Sequence, residues 1–206
     1  MHQTRKSSST KLPIERKGTK YIARARSNIS NSVPVVIAVR DMLKLAKTAK
    51  EARKMIKEKL LKINGRVVKD YRESIQLFNI LEADKFYELS ILPTKKFFFR
   101  PVQSKGERLC KVLNKRIVKK GLTQINLHDG TNILTKDKIN TGDSVYLGFD
   151  SKIKKSASLL KDKNVFIFSG KYSGQNAKII DKKDGIVKVI LKEGTAELQE
   201  SCLIAL

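Results

Sequence analysis

The sequence has no tryptophan, two cysteines, two histidines and four prolines in 206 residues, and aromatic residues make up 6% of it. Each shortage excludes something. Cys110, Cys202, His2 and His128 are too few and too scattered for a four-ligand zinc site unless all four are used, so no metal and two reduced thiols are expected. No stretch approaches the roughly 20 apolar residues that span a bilayer, and the start lacks the apolar segment of a secretory leader, so a soluble, cytoplasmic protein is expected. No GxxxxGK[ST] loop occurs to cradle a nucleotide phosphate, and no Ser/His/Asp spacing points to an activated nucleophile. Acidic residues are scarce as well: 20 Asp and Glu stand against 44 Lys and Arg, a formal charge of +24. A surface made merely soluble carries a net charge of about 2 to 8 in a small domain. Such an excess repels itself unless a polyanion neutralises it, which makes nucleic acid the expected partner.

Hydrophobic residues, at 40%, are enough to build cores, so the chain is not a disordered basic tail. Its first 26 residues carry eight basic side chains, Arg5, Lys6, Lys11, Arg16, Lys17, Lys20, Arg24 and Arg26, against Glu15; they read as a basic arm unable to bury itself. Ser32 as N-cap, Pro34 in the first turn and the recurrence of Val36, Val39, Leu43 and Ala46 predict a helix over about 33–46. Thr48 and Glu51 form a capping box, and Ala52, Met55 and Ile56 a buried stripe, for a second helix over about 49–58. Asn64-Gly65 between two short apolar runs is a strong hairpin signal, since both turn positions need positive φ.

Beyond residue 74 the apolar runs are short and bounded by turn residues, so the remainder is expected to be nearly all β. Asp129-Gly130, Thr141-Gly142 and Asp184-Gly185 read as tight turns, and residues 152–163, rich in Lys and Ser, as a junction. His128-Asp129-Gly130 reads as a structural turn and Cys110 as a small core residue. Tyr21, Tyr71 and Phe97 to Phe99 offer faces on which bases could stack, though the Phe run suits a strand shared between core and a domain contact. No internal repeat is visible at a period of about 20 to 50 residues.

The chemistry concentrates between Arg40 and Arg72, where twelve basic residues face four acids. On the second helix Lys50, Arg53, Lys54 and Lys57 are three and four apart, which puts them on one face. Cations so placed reach successive phosphates and release counterions, with Arg53 able to grip bidentately.

The segment AKTAKEARKMIKEKLLKINGRVVKDY, Ala46 to Tyr71, resembles the S-four RNA-binding domain, a helix pair with a hairpin. Residues 12–26, 33–46, 122–134 and the last segment together resemble the archaeal and eukaryotic S-four-e family of small-subunit ribosomal proteins, over nearly the whole chain. The resemblance implies an α+β, multidomain fold. Its parts would be a basic arm (1–32), an α-rich S-four-type unit (33–82), a central β domain (83–158) and an SH3-like KOW barrel (159–206). The KOW segment is Val165 to Ile180, with Gly170 and Gly174, and Ala177 where the family pattern places a third glycine. Leu12 stands where the family usually has Trp, residues 27–34 replace a Gly-Pro-His-like turn, and the chain lacks the basic tail of eukaryotic members, which points to an archaeal or reduced source.

On this reading the protein is a structural, non-catalytic constituent of the small subunit without a cofactor or small-molecule substrate. It would bind ribosomal RNA and neighbouring small-subunit proteins, and no membrane. The expected RNA contacts are Arg5, Lys11, Arg16, Lys17, Lys20, Arg24 and Arg26 of the arm; Lys47, Lys50, Arg53, Lys54 and Lys57 of the second helix; Lys62, Asn64, Arg66 and Lys69 of the hairpin; and Lys171 and Gly174 of the KOW loop. Two rivals are a transcription, translation or assembly factor that uses the KOW barrel transiently, and an RNA-modifying enzyme, since S-four domains also accompany pseudouridine synthases and methyltransferases. The sequence after residue 82 offers such an enzyme no cofactor loop.

Overall fold

Strand-forming sequence dominates the molecule, and in the computed structural model, which describes residues 3–103, 106–118, 121–183, 185–191 and 194–206, antiparallel strands predominate and helix is confined to a few short segments. His2 and Asp184 lie outside the described residues. The chain divides into two compact units, Met1–Gly106 and Glu107–Leu206.

The first unit opens on β1 (Gln3–Thr4) paired with β2 (Tyr21–Ile22), so the arm folds back on itself. Contrary to the expectation of an arm without buried residues, Ser8, Leu12 and Ala25 are buried. Phe97 N donates to Lys11 O at 2.8 Å and Lys96 Nζ to Thr10 O at 2.6 Å. Leu12 supplies an apolar anchor that a charge count overlooks.

The helix expected over 33–46 is replaced by three pieces. Ser32–Pro34 forms β3, α1 is the single turn Val35–Ile37, and Ala38–Met42 continues as a π-helix, closed by Leu43 N donating to Ala38 O at 2.9 Å and ended by Lys44 at φ 57°. Every residue from Val33 to Val39 is buried. A run wrapped by core on all sides has no polar face to turn outward, and its β-branched residues resist helix. Ser32 is therefore no N-cap; its Oγ donates to Ser27 O. Helix in residues 33–82 is thus confined to short pieces interleaved with short strands, so the unit is mixed and not α-rich.

The second helix, α2 (Ala49–Lys57), matches the expectation: Thr48 Oγ1 accepts from Glu51 N at 3.2 Å, and the Glu51 carboxylate reaches back to Lys47 N at 2.7 Å. The bond from Lys47 N, together with one donated by the Thr48 hydroxyl to Glu51 Oε1 at 3.1 Å, holds the Glu51 carboxyl below its ordinary pKa. Strands β4 (Lys62–Ile63) and β5 (Arg66–Val67) flank Asn64 and Gly65 at φ 52° and 79°, the positive pair that the hairpin needs. β6 (Ser74–Gln76) pairs with β3. β7 (Ile80–Glu82), β8 (Phe86–Ile91) and β9 (Phe97–Val102) extend the hairpin into a sheet of order β5-β4-β7-β8-β9. The domain boundary expected at residue 82 thus falls in the β7–β8 turn, and β8 and β9 lie in the first unit. Phe97 is buried, Phe98 and Phe99 half-buried.

In the second unit, β10 (Glu107–Ile117), β11 (Thr123–Leu127), β12 (Asn132–Thr135), β13 (Ser144–Gly148) and β14 (Ile153–Ala157) form a sheet of order β12-β11-β10-β13-β14 over Val112, Ile125, Val145 and Leu147. β14 occupies much of the expected junction, because its lysines suit an edge. Gly130 and Gly142 take positive φ, as tight turns there require.

The chain ends in β15 (Asn164–Ile167), β16 (Asn176–Lys183), β17 (Ile186–Leu191), β18 (Gly194–Gln199) and β19 (Leu203–Ala205), in the order β18-β17-β16-β15-β19. Along β17, Val187, Val189 and Leu191 are buried while Ile186, Lys188 and Ile190 face out, the period of two of a half-buried strand. The core includes Ala177, whose methyl fills the place where the family pattern has glycine. Lys111 of β10 ties the two sheets together: its Nζ donates to Glu200 O and, at 2.7 Å, to Leu203 O, while Ala205 N donates to Ser144 Oγ at 2.8 Å.

Candidate nucleic-acid interface

Helix α2 buries Ala52, half-buries Met55 and Ile56, and exposes Lys50, Arg53, Lys54 and Lys57. The helix therefore presents the expected ridge. Its one internal ion pair, Lys54 to Glu58 at 3.8 Å, is long and exposed and so contributes little against a competing phosphate. Arg53 lies over the Tyr71 ring at 4.5 Å, and Arg72 over the same ring at 5.5 Å. The two guanidinium groups thus occupy the ring on which a base was expected to stack, and the stacking restrains Arg53.

Other expected contacts divide by what the folded chain already asks of them. Arg5 donates to Thr19 O and Thr19 Oγ1 at 2.8 Å and to Glu15 O at 2.6 Å, and Arg16 donates to Ser8 Oγ at 3.1 Å; both hold the arm's own turns together. Lys11 donates to Asn31 Oδ1, sits 5.9 Å from the Phe97 ring, and has its pKa lowered by burial. Lys62 pairs with Glu82 at 2.9 Å and Arg66 with the buried Glu73 at 2.6 Å. Asn64 turns inward: its Oδ1 accepts from Ile80 N at 2.9 Å, which fixes β7 to the hairpin. Lys17, Lys20, Arg26, Lys47, Lys69 and Lys171 are exposed, with Lys20 and Lys171 each about 5.4 Å from a neighbouring tyrosine ring. Gly174 adopts φ 89° in the loop between β15 and β16 and donates to Ile167 O at 2.7 Å, so its role there is the turn itself.

Two features escape a reading of the sequence. A broad groove of about 950 Å³ runs between the arm and the π-helix, with Ile14, Ile22 and Ile37 in its wall and Lys17, Lys44 and Lys47 along it. A smaller cavity of about 180 Å³ is lined by Arg24, Ala25, Arg26 and Arg72. Arg72 is 46 positions from Arg26 and no linear motif joins them; the backbone bond from Arg26 N to Arg72 O, 3.0 Å, brings them together.

His128 and Asp129 are structural, as expected. His128 Nδ1 accepts from Lys111 N at 3.1 Å, and Asp129 pairs with Arg108 at 3.0 Å with both side chains buried. Burial pushes the Cys110 thiol up to about 12, which makes it inert as a nucleophile near neutrality.

A cationic helix face followed by a positive-φ hairpin defines an RNA-binding module of the S4 type, and residues 38–77 match the S4 domain model. Residues 83–153 match the model for ribosomal family S4e. The chain is 30% identical over 189 residues to small ribosomal subunit protein eS4 of Methanocella arvoryzae, covering 88% of this chain and 81% of that one. It is 32% identical over 187 residues to the eS4 protein of Methanothermobacter thermautotrophicus, covering 86% and 77%. The crystal structure of 30S ribosomal protein S4e from Thermoplasma acidophilum superposes with a TM-score of 0.73 at 23% identity, covering 85% of this chain and 95% of that one. The chain belongs to ribosomal protein family S4e.

Proposed function

We propose that the chain is a structural constituent of the small ribosomal subunit, which binds and braces ribosomal RNA and thereby supports translation in the cytoplasm. Membership of family S4e and the names of its archaeal relatives support this reading. The observation that carries it to particular residues is the outward face of α2, where Lys50, Arg53, Lys54 and Lys57 stand exposed together. Such a face recognises backbone and shape, since phosphate contacts position a protein without reading sequence. Lys47, Lys69 and the arm's Lys17, Lys20, Arg24 and Arg26 extend it. Arg5, Arg16, Lys62, Asn64 and Arg66 act by holding the binding surface in shape. Lys171, on the Gly174 loop, supplies a second contact, and neighbouring small-subunit proteins cover part of what remains. The activity is binding, with no catalytic step.

The test is sedimentation of a cell lysate through sucrose at moderate and high salt, with this protein quantified against known subunits. Co-migration at one copy per small subunit, persisting at high salt and in translating ribosomes, is expected. Recovery at the top of the gradient, or loss at high salt from a substoichiometric level, would replace the reading with a transient factor.

A further inference from the structure

We propose that Arg24, Arg26 and Arg72 form a preformed seat for one phosphodiester phosphate of RNA, joining the arm to the body of the first unit through a single anion. This rests on the RNA-binding reading above and names a site within it.

The backbone that carries the seat is fixed on both sides. Three successive carbonyls are all engaged: Tyr71 O accepts from Val36 N, Arg72 O from Arg26 N and Glu73 O from Val35 N, each at 3.0 Å. One residue further along the arm, Ser27 N donates to Ser74 Oγ at 2.8 Å, and Ser74 Oγ donates to Ser27 O at 2.8 Å. The arginines therefore start from anchored main chain, and little ordering remains to be done when an anion arrives.

Charge supplies the second argument. Arg24, Arg26 and Arg72 line one cavity, and Asp70, beside Arg72, spends one oxygen on Arg72 N at 2.9 Å. Its contacts to the Arg72 side chain are long, 3.5 Å to Nε and 3.3 Å to Nη2. Those bonds and the charge of Arg26 outweigh partial burial, which works the other way, and hold the Asp70 carboxyl below its ordinary range, so it stays ionised. One carboxylate set against the guanidinium groups of Arg26 and Arg72 leaves an excess of positive charge. The Arg72 Nη1 hydrogens and the Arg26 guanidinium make no hydrogen bond among the described residues. The cavity, about 180 Å³, has the space of roughly six waters at ~30 Å³ each, room for a tetrahedral phosphate group with residual hydration. Planar forks converging on such a group are the arrangement arginine offers and lysine does not. Arg72 also shares the Tyr71 ring with Arg53, so the seat is continuous with the α2 ridge.

The full-length protein is titrated against small-subunit ribosomal RNA across a salt series, as wild type and as the double variant Arg26→Gln/Arg72→Gln. We expect the variant to lose roughly ten- to a hundredfold in affinity, the range for losing charge-assisted hydrogen bonds, and its log K against log[salt] slope to fall by about one. A second variant, Arg24→Gln/Arg26→Gln, spares Arg72 and its partner Asp70, and should show the same change if the first fails to fold. In parallel, inorganic phosphate is titrated while the arginine Nε–H resonances are followed. Those of Arg24, Arg26 and Arg72 should shift together and saturate, whereas that of the exposed Arg116 should not. Wild-type slope and affinity in the folded variants would overturn the seat while leaving the RNA reading intact. If wild type itself fails to bind the RNA, the RNA reading falls with it. Saturable phosphate shifts without any change in RNA binding would make the seat a free-phosphate site and overturn its assignment to RNA.

Discussion

Arg108 and Asp129 show at the scale of single residues how this protein uses charge inside as well as outside. Their side chains are 5% and 2% exposed, and Asp129 also accepts from Thr131 N and Thr131 Oγ1 at 2.9 Å. Removing one member of a buried pair strands the other. Asp129→Asn should therefore destabilise the protein by about 3–5 kcal/mol, read as a lower urea midpoint with an unchanged slope. Lys111 is the complementary case. Burial lowers its pKa from 10.5 to about 8, against the opposing pull of Glu200. Below about pH 8 both folded and unfolded chains carry the proton, and the folded state bears the full cost of a buried ammonium. Between about 8 and 10.5 the unfolded chain holds more protons than the folded one, so stability rises with pH, by about 1.4 kcal/mol per unit. Chemical denaturation from about pH 7.5 to 9.0, below the range where ionisation of the Cys110 thiol in the unfolded chain works the other way, should show this rise in wild type, and a flatter profile in Lys111→Met.

Among the elements, α2 was the most legible. Its cap, its stripe and its ridge follow from residues three and four apart, and local spacing survives folding unchanged. The Asn64-Gly65 hairpin was legible for the same reason. Replacing Lys50, Arg53, Lys54 and Lys57 by Ala should lower the salt slope of RNA affinity by up to about 3 to 4, near 0.9 per lost phosphate contact. Because alanine favours helix, the far-ultraviolet circular dichroism should persist; an unaltered slope would remove the ridge from the interface. The stretch from Val33 to Ala46 was misread. Apolar spacing alone cannot distinguish a helix from a strand leading into a π-helix where every side is buried, as it is from Val33 to Val39. Edge strand β14 reads as part of a junction because edges carry the lysines and small residues that also mark loops.

For the molecule as a whole, net charge sets the terms. A chain at +24 repels itself, and exposed like charges are screened over about 8 to 10 Å at physiological salt. The melting temperature of the isolated protein should accordingly rise with salt from 10 to 200 mM, more steeply for sulfate or phosphate than for chloride, since multivalent anions occupy cationic sites directly. A calorimetric melting temperature that falls over that range would contradict this view of the free chain. The class of partner was legible from composition, and the family from a handful of segments. The structural roles of Arg5, Arg16 and Arg66 were not, because a count of cations cannot tell a guanidinium engaged by the folded chain from one aimed at solvent.

By itself, the sequence determined the polyanionic partner, the α2 ridge, the hairpin and the β character of the second half. These rest on total charge, on a period of 3.6 or 2, and on turn residues only a few positions apart. Tertiary structure alone decided which cations stay available, where the first unit ends, and that Arg72 meets Arg24 and Arg26. Those outcomes depend on strand pairing between distant segments, β3 with β6 and β7 with β8, and such pairing is chosen by the burial of whole faces and not by any local run of residues.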